Sequence, residues 1–191
     1  LHVNHEPRRP RYGVLLCING TGILNAWVKK TTVPDMSYPE VNRQCAEIPV
    51  GSEGVLMLPF GNGAERMLGN RYTGAEAIGL DLNRHDRFHL LRAAQEGIAF
   101  AFRYGMDVMR ETGLRLRVIR AGYANLFLSP VFRQTLATLC GADIELYNTD
   151  GALGAARGAA LGAGLYASRE ETFASLRKID EVRPDPADRD V

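Results

Sequence analysis

Residues 116–125 read Leu-Arg-Val-Ile-Arg-Ala-Gly-Tyr-Ala-Asn, and this stretch decides the fold of the chain. The aliphatic and β-branched residues at 116–119 predict a short buried strand. The small residues that follow predict a turn, because Gly122 can take a positive φ at little steric cost and lets the backbone approach a neighbour closely. Ser129 and Pro130 then predict the N-cap and first turn of a helix whose apolar residues recur up to Cys140.

A second strand, turn and helix follow directly. Residues 143–147 alternate as a strand does, Asn148-Thr149-Asp150 has the chemistry of a turn and a helix cap, and residues 151–166 form a predicted helix of very small side chains. Three glycines, Gly154, Gly158 and Gly162, lie four residues apart on one face of this helix. Since each costs a helix about 1 kcal/mol relative to alanine, we expect that face to press against a neighbouring element or a bound ligand.

In both units a strand ends where a helix begins, so backbone N–H groups point to one edge of the predicted sheet. Anions and nucleotides bind at this edge in α/β proteins. For either unit taken alone, an ordinary connection between a strand and a helix is the alternative. The glycine spacing also matches a membrane dimerisation face, but Arg157 lies among the glycines and the apolar run is too short to span a bilayer.

A glycine turn near the start of the chain has a similar arrangement. Asn19-Gly20-Thr21-Gly22 separates a predicted strand at residues 12–19 from a predicted helix at residues 23–30. Backbone donors at such a helix start suit a phosphate or a nucleotide. A plain turn from strand to helix is again the alternative.

The middle of the chain predicts structural elements and one polar loop. Ser37 and Glu40 form the pattern of a capping box for a helix at 37–48, and Asp86 begins the longest helical pattern, at 86–112. Gly97 interrupts that long helix, which implies a close neighbour. In the loop at 60–66, Glu65 and its adjacent arginine either hold the loop by charge-assisted hydrogen bonds or form an ordinary surface ion pair.

Composition excludes several classes of protein. With 191 residues, of which 46% are hydrophobic, the chain predicts one compact domain, and its net charge of +1 offers no basic surface for nucleic acid. Cys17, Cys45 and Cys140 are too scattered for a disulfide framework and predict buried thiols of a reducing compartment, the cytoplasm. His2 and His5 lack a third ligand nearby, so no metal site is predicted. No signal peptide or membrane span is present in the sequence.

Four stretches, in this order, resemble the FGGY family of carbohydrate kinases in its C-terminal domain, and within the family the resemblance is greatest to xylulose kinases. The stretches are residues 18–27 (Ile-Asn-Gly-Thr-Gly-Ile-Leu-Asn-Ala-Trp), 58–66 (Leu-Pro-Phe-Gly-Asn-Gly-Ala-Glu-Arg), 89–102 and 121–164. The resemblance implies an α/β, actin-like (ribonuclease-H-like) ATPase fold. Residues 1–168 are then expected to form the nucleotide-binding C-terminal lobe, and residues 169–191 a charged, exposed tail. His89 is expected to have a structural role.

The resemblance also implies the site. Gly22 is expected near the phosphates of ATP, Ala121 and Gly122 are expected to form the turn against the nucleotide, and Asn125 is expected to meet the adenine or ribose. Tyr123 either covers the nucleotide or faces outward. The family has a polar residue where this chain has Ala26, and its Gly-Glu-Arg motif is interrupted here by Ala64, so these side-chain contacts are not carried over.

The implied activity is transfer of the ATP γ-phosphate to D-xylulose, with Mg²⁺ assisting. The base aspartate, the sugar pocket and the first phosphate loop of the family correspond to sequence upstream of Leu1, so we expect no catalytic residue in this chain and no activity from it alone. A kinase for glycerol, ribulose or gluconate and a non-enzymatic nucleotide-binding module are the alternatives. The implied partners are a nucleotide and a small sugar, and a homodimer is a candidate assembly.

Overall fold

A computed structural model describes residues 2–4 and 11–188 of the chain. The chain divides into two compact units, Leu1–Arg115 and Leu116–Val191. That the chain forms one compact domain stays a prediction. Whether residues 1–168 act as one nucleotide-binding lobe stays a prediction.

Three helices build the first unit. They are α1 (Thr21–Thr32), α2 (Tyr38–Glu47) and α3 (Arg87–Arg110), and they confirm the helices predicted at 23–30, 37–48 and 86–112. The apolar stripe of α3 includes Leu91, Ala94 and Ile98, which are fully buried, because these residues recur at three- and four-residue spacing. Helix α3 is therefore the central element of the unit.

The predicted caps are present. Ser37 and Glu40 form the capping box of α2, and the Asp86 carboxylate accepts hydrogen bonds from the N–H groups of Phe88 (2.8 Å) and His89 (3.3 Å). The Nδ1 atom of His89 lies 2.8 Å from Asp86 Oδ1, so His89 completes the cap of its own helix. Partial burial raises the pKa of Asp86, but the hydrogen bonds from His89 and the two N–H groups outweigh it and bring this pKa below its usual value.

Short antiparallel pairs accompany these helices. Strand β1 (His2–Asn4) pairs with β2 (Arg11–Gly13), β3 (Leu56–Leu58) with β6 (Glu76–Ile78), and β4 (Ala64–Glu65) with β5 (Arg71–Tyr72). The strand predicted at 12–19 is wrong after Gly13. Its pairing with β1 ends at His2↔Gly13, and an apolar run without a neighbouring strand in the described part of the chain does not form a ladder.

Helix α3 lies directly against β3. A Cβ atom added to Gly97 would overlap the carbonyl oxygen of Met57 and lie 2.9 Å from its carbonyl carbon. The close neighbour that the sequence predicts for Gly97 is therefore confirmed, and it is the backbone of β3.

A buried ion pair joins α2 to α3. The Nε atom of Arg92 donates to Glu96 Oε1 at 2.7 Å, and its Nη1 atom donates to the carbonyl oxygens of Cys45 (3.0 Å) and Ile48 (2.6 Å) at the end of α2. Glu96 Oε1 also accepts from the N–H of Gly51 at 3.2 Å. Hydrogen bonds on both charges make this pair tolerable in the interior. Burial raises the pKa of the Cys45 thiol to about 12.

The second unit is a three-stranded sheet with helices. Strands β7 (Val118–Gly122), β8 (Asp143–Tyr147) and β9 (Lys178–Val182) lie in that order, with β7 and β8 parallel and β9 antiparallel. The helices are α4 (Pro130–Cys140), α5 (Gly151–Gly162) and α6 (Arg169–Thr172). Ser129 caps α4 by accepting from the N–H of Phe132 at 3.4 Å, as predicted, and the strand at 143–147 is confirmed.

The structure corrects one prediction for this unit and refines another. Strand β7 continues through Ala121 and Gly122, which the sequence assigns to a turn, because the parallel ladder extends to Gly122↔Tyr147. The predicted tail after residue 168 contains an ordered strand at Lys178–Val182, since β9 pairs with β8 and Lys178 lies 3.8 Å from the Glu145 carboxylate. The first three residues of β9 are exposed, as expected of the tail. Strands at the edge of a sheet often carry charged side chains, so a sequence rich in charge does not distinguish such a strand from an exposed tail.

The glycine face of α5 does not press against any described part of the chain. A Cβ atom added to Gly154, Gly158 or Gly162 would meet nothing within 4 Å among the described residues. Arg157 is the buried residue of this helix. No described element is therefore the close neighbour expected at these glycines, and contact of this face with a bound ligand stays a prediction. The helix is anchored through Arg157. Among the cysteines, Cys45 and Cys140 are buried as predicted, whereas Cys17 is exposed.

We predict that Gly97→Ala lowers the free energy of unfolding of the first unit by about 1–3 kcal/mol, because the new methyl group meets backbone and not a flexible side chain. Urea unfolding followed by the fluorescence of Trp27 measures this. Gly74→Ala is the matched control, since a Cβ at Gly74 meets nothing within 4 Å in the described structure. Equal stability of the two variants would contradict the contact between α3 and β3.

Candidate nucleotide site

Helix α1 begins without a side-chain cap. Its N-cap residue is Gly20, and no acidic residue lies in its first turn. In contrast, α2 to α6 each begin with a serine or aspartate side chain that accepts a backbone N–H. Within the part of the chain that the structure describes, the start of α1 therefore leaves donors and the positive end of the helix dipole available to an anion.

Gly22 lies in the first turn of α1 and is exposed. A Cβ atom added there would meet nothing within 4 Å in the described structure. Neither packing nor an unusual backbone angle thus explains a glycine at this position. Its surface is open to close approach by a ligand.

Three side chains hold the turn that precedes α1. The Glu65 carboxylate, which is fully buried, accepts from the N–H of Asn19 at 2.6 Å to Oε1 and 3.2 Å to Oε2. Asn19 Nδ2 donates to the carbonyl oxygen of Ala64 at 2.7 Å, and Asn62 Nδ2 donates to the carbonyl oxygen of Asn19 at 2.8 Å. We call Asn19, Asn62 and Glu65 the turn clamp. Of the two alternatives for Glu65, the ordinary surface ion pair is therefore wrong. The Glu65 carboxylate makes a charge-assisted hydrogen bond, and its partner is the N–H of Asn19, 46 residues away.

A cleft of about 600 Å³ lies beside this turn. Helix α1 contributes Ile23 and Trp27, whose side chains are largely exposed, and the segments 61–62 and 74–77 line the cleft as well. Gly20, the N-cap residue of α1, is also a lining residue. The turn clamp therefore shapes part of a cavity of the size that small ligands occupy.

In the second unit, the carboxyl ends of β7 and β8 lie side by side. A Cβ atom added to Gly122 would overlap the carbonyl oxygen of Thr149 and lie 2.9 Å from its carbonyl carbon. The N–H of Tyr123 donates to the carbonyl oxygen of Tyr147 at 2.8 Å. Glycine is required at this point because the backbone after β8 passes directly over the end of β7.

Asn125 lies just beyond this strand end, at the start of a single 3₁₀ turn over Asn125–Leu128. Its φ is +54°, an uncommon value that asparagine tolerates better than most residues. The residue is exposed, and no hydrogen bond of its side chain to the described residues is present. An unusual backbone angle and an unused amide at the end of a parallel strand are typical of a ligand contact.

Ala121 and Gly122 are the last residues of β7, and Asn125 begins the 3₁₀ turn that follows. Their contact with a nucleotide stays a prediction. Gly22 lies in the first unit. Tyr123 is 42% exposed, with the Arg133 guanidinium 5.8 Å from its ring centroid, and both alternatives for its side chain stay open.

Two residues that hold this strand end are missed by the sequence reasoning. Arg157 donates to the hydroxyls of Thr149 (3.1 Å) and Ser175 (3.0 Å). Asn148 donates from Nδ2 to the Ser175 carbonyl oxygen at 3.0 Å and accepts from the N–H of Arg177 at 2.7 Å. The isolated position of Arg157 in a helix of small residues is the sequence feature that indicates its buried, anchoring role.

The described residues contain no group of three or more His, Cys, Asp or Glu that could hold a metal ion. His5 lies outside the described residues, so the prediction about His2 and His5 is not tested there. None of the described helices is long and apolar enough to cross a membrane.

Comparison with known proteins gives one family. Residues 2–167 match the C-terminal domain of the FGGY family of carbohydrate kinases. The xylulose kinase of Haemophilus influenzae is 32% identical over 160 residues, which cover 78% of this chain and 31% of that protein.

Solved structures are similar as well. The crystal structure of xylulose kinase from Rhodospirillum rubrum matches with a TM-score of 0.70 at 27% identity, over 88% of this chain and 34% of that one. The structure of Plasmodium falciparum glycerol kinase with ADP matches with a TM-score of 0.68 at 22% identity, over 90% of this chain and 34% of that one. The chain thus spans about a third of the length of these proteins.

We predict that Gly122→Ala destabilises the second unit by about 1–3 kcal/mol, because its Cβ meets the backbone of Thr149. The amides of β7 and β8 should then exchange hydrogen at least about fivefold faster in conditions where exchange follows unfolding. Gly151→Ala is the control, since a Cβ at Gly151 meets nothing within 4 Å in the described structure. Unchanged exchange in Gly122→Ala would contradict the close approach of the two strand ends.

Proposed function

The chain belongs to the FGGY family of carbohydrate kinases as its C-terminal domain, and we propose that it supplies the ATP-binding part of a kinase that converts D-xylulose to D-xylulose 5-phosphate. The predicted α/β, actin-like ATPase fold is confirmed. The observation that carries the proposal is the match over residues 2–167, together with relatives named xylulose kinase.

The open start of α1 supports a role for the first unit in binding phosphate. Gly22 offers an exposed backbone at a helix start with no side-chain cap, which suits the phosphates of ATP. In the second unit, Ala121, Gly122 and Asn125 are proposed to contact the adenosine part. The exposed amide of Asn125 can donate to and accept from the ribose or the adenine.

The proposed reaction breaks the bond between the γ-phosphorus of ATP and the oxygen that bridges it to the β-phosphorus, and ADP leaves with that oxygen. It forms a bond from the γ-phosphorus to a sugar hydroxyl oxygen, whose proton passes to a general base. Catalysis of this step consists mainly of positioning and of stabilising charge on the transferred group. The residues of this chain bind and orient the nucleotide. Since the described residues contain no cluster of metal ligands, no step is assigned to Mg²⁺ on this chain.

The alternatives concern the substrate and the presence of catalysis. Glycerol, ribulose or gluconate as the acceptor is the first alternative, and the fold shared with glycerol kinase is compatible with it. A nucleotide-binding module without activity is the second alternative. A cytoplasmic location and a homodimer stay predictions.

ATP consumption by the complete gene product, measured with Mg²⁺ across D-xylulose, D-ribulose, glycerol and gluconate, tests the proposal. We expect selective turnover of D-xylulose, and we expect none from residues 1–191 alone. Turnover of another acceptor would show that D-xylulose is not the substrate. ADP binding without turnover of any acceptor would favour the nucleotide-binding module without activity. Sugar-dependent ADP release by residues 1–191 alone would show that the chain itself contains the catalytic groups.

Asn125→Ala is expected to raise the KM for ATP about tenfold and to change the KM for the sugar less than twofold, because one hydrogen bond to the nucleotide is lost. Asn70→Ala is the matched control, since Asn70 is also exposed and has a φ of +59°. Both variants place alanine at a positive φ, so a difference between them isolates the amide. Equal ATP kinetics in the two would remove Asn125 from the site.

A further inference from the structure

We infer that Glu65 is a positioning residue for the nucleotide: its buried carboxylate fixes the turn at Asn19 and Gly20, and through that turn the open start of α1 at Gly22. The inference rests on the proposed function, because it concerns how the phosphate-binding end of α1 is held. It goes beyond that function in assigning a role to a side chain that does not itself face the ligand.

The burial of Glu65 calls for a reason. A carboxylate without exposure to water is costly unless hydrogen bonds compensate it. The partner of both its oxygens is the N–H of Asn19, at 2.6 and 3.2 Å. A charge-assisted bond of this kind is shorter and stronger than a neutral one. The turn at Asn19 is therefore anchored by a short, charge-assisted hydrogen bond.

The rest of the same loop restrains the turn further. Asn62 donates to the carbonyl oxygen of Asn19, and the Asn19 side chain donates to the carbonyl oxygen of Ala64. A Cβ atom added to Gly20 would overlap the carbonyl group of Pro59. The N–H, the carbonyl and the side chain of Asn19 are all bonded to residues 62–65, so the turn cannot shift without breaking several contacts.

The turn is linked rigidly to the helix start. Gly20 is the N-cap residue of α1, and its carbonyl oxygen accepts from the N–H of Leu24 at 2.9 Å. Gly22 lies between these two residues. Because α1 has no side-chain cap of its own, the turn clamp is what sets the direction of its free N–H groups. Preorganised donors bind an anion better than donors that must be ordered on binding.

Glu96 is a second buried glutamate in the same unit, and its role is structural. It is also buried and also accepts a backbone N–H, from Gly51, but it pairs with Arg92 and supports the end of α2. Loss of charge at Glu96 should reduce stability without changing the geometry at Gly22. It is therefore the matched control for Glu65.

The test is ADP binding to the complete gene product, measured by calorimetry, together with hydrogen exchange of residues 19–24. We expect Glu65→Ala to weaken ADP binding at least about tenfold and to speed exchange at residues 19–24. Glu65→Gln should stay within about threefold of wild type, because its amide oxygen still accepts from Asn19. Glu96→Gln should lower the melting temperature and leave the Kd for ADP unchanged.

Asn62→Ala keeps the inference testable if Glu65→Ala does not fold, since Asn62 is exposed and its loss removes one bond of the clamp. It should weaken ADP binding about threefold, with faster exchange at residues 19–24. Wild-type affinity in Glu65→Ala and Asn62→Ala, or equal weakening in Glu96→Gln, would overturn the positioning role while the proposed function stands. A wild-type protein that binds no ADP would overturn the proposed function. Unchanged hydrogen exchange at residues 19–24 in Glu65→Ala would show that Glu65 does not hold the turn, whether or not the protein binds ADP.

Discussion

Direct contact of backbone with backbone at glycine is the constraint on which this structure depends. In the first unit, Gly97 brings α3 onto the carbonyl of Met57, and Gly20 brings the start of α1 onto the carbonyl of Pro59. In the second unit, Gly122 brings the end of β7 under the backbone of Thr149. Any side chain at these positions would separate the elements, because a backbone carbonyl cannot turn aside as a flexible side chain can.

Buried charged and polar groups then fix what the glycines bring together. Arg92 and Glu96 hold the end of α2 on α3, Glu65 holds the turn before α1, and Arg157 holds the turn after β8. Each of these groups bonds to backbone or to hydroxyls of a loop, so its burial is compensated. Two of the loops next to the proposed ligand contacts are thus held in place by buried charged side chains. Glu65 holds the turn at Asn19, and Arg157 holds the turn at Thr149.

The sequence predicts those features that local chemistry controls. The caps at Ser37, Asp86 and Ser129 mark the starts of three helices correctly, since a hydroxyl or carboxylate beside free N–H groups acts within one turn. The sequence also places Ala121, Gly122 and Asn125 beside the end of one strand, and their role in binding stays a prediction. The extension of β7 through Gly122, the third strand β9 and the end of β2 at Gly13 are not predicted, because each depends on which distant segment pairs with it.

The sequence by itself determined the family, the fold class and the positions of the main helices, because glycine motifs, caps and apolar spacing are local properties of the chain. Only the tertiary structure decided that Glu65 binds the turn at Asn19, that the close neighbour of Gly97 is the backbone of Met57, and that Arg157 is buried. The reason is physical: a side chain's partner 46 residues away is set by how the elements pack, and no local pattern records that distance.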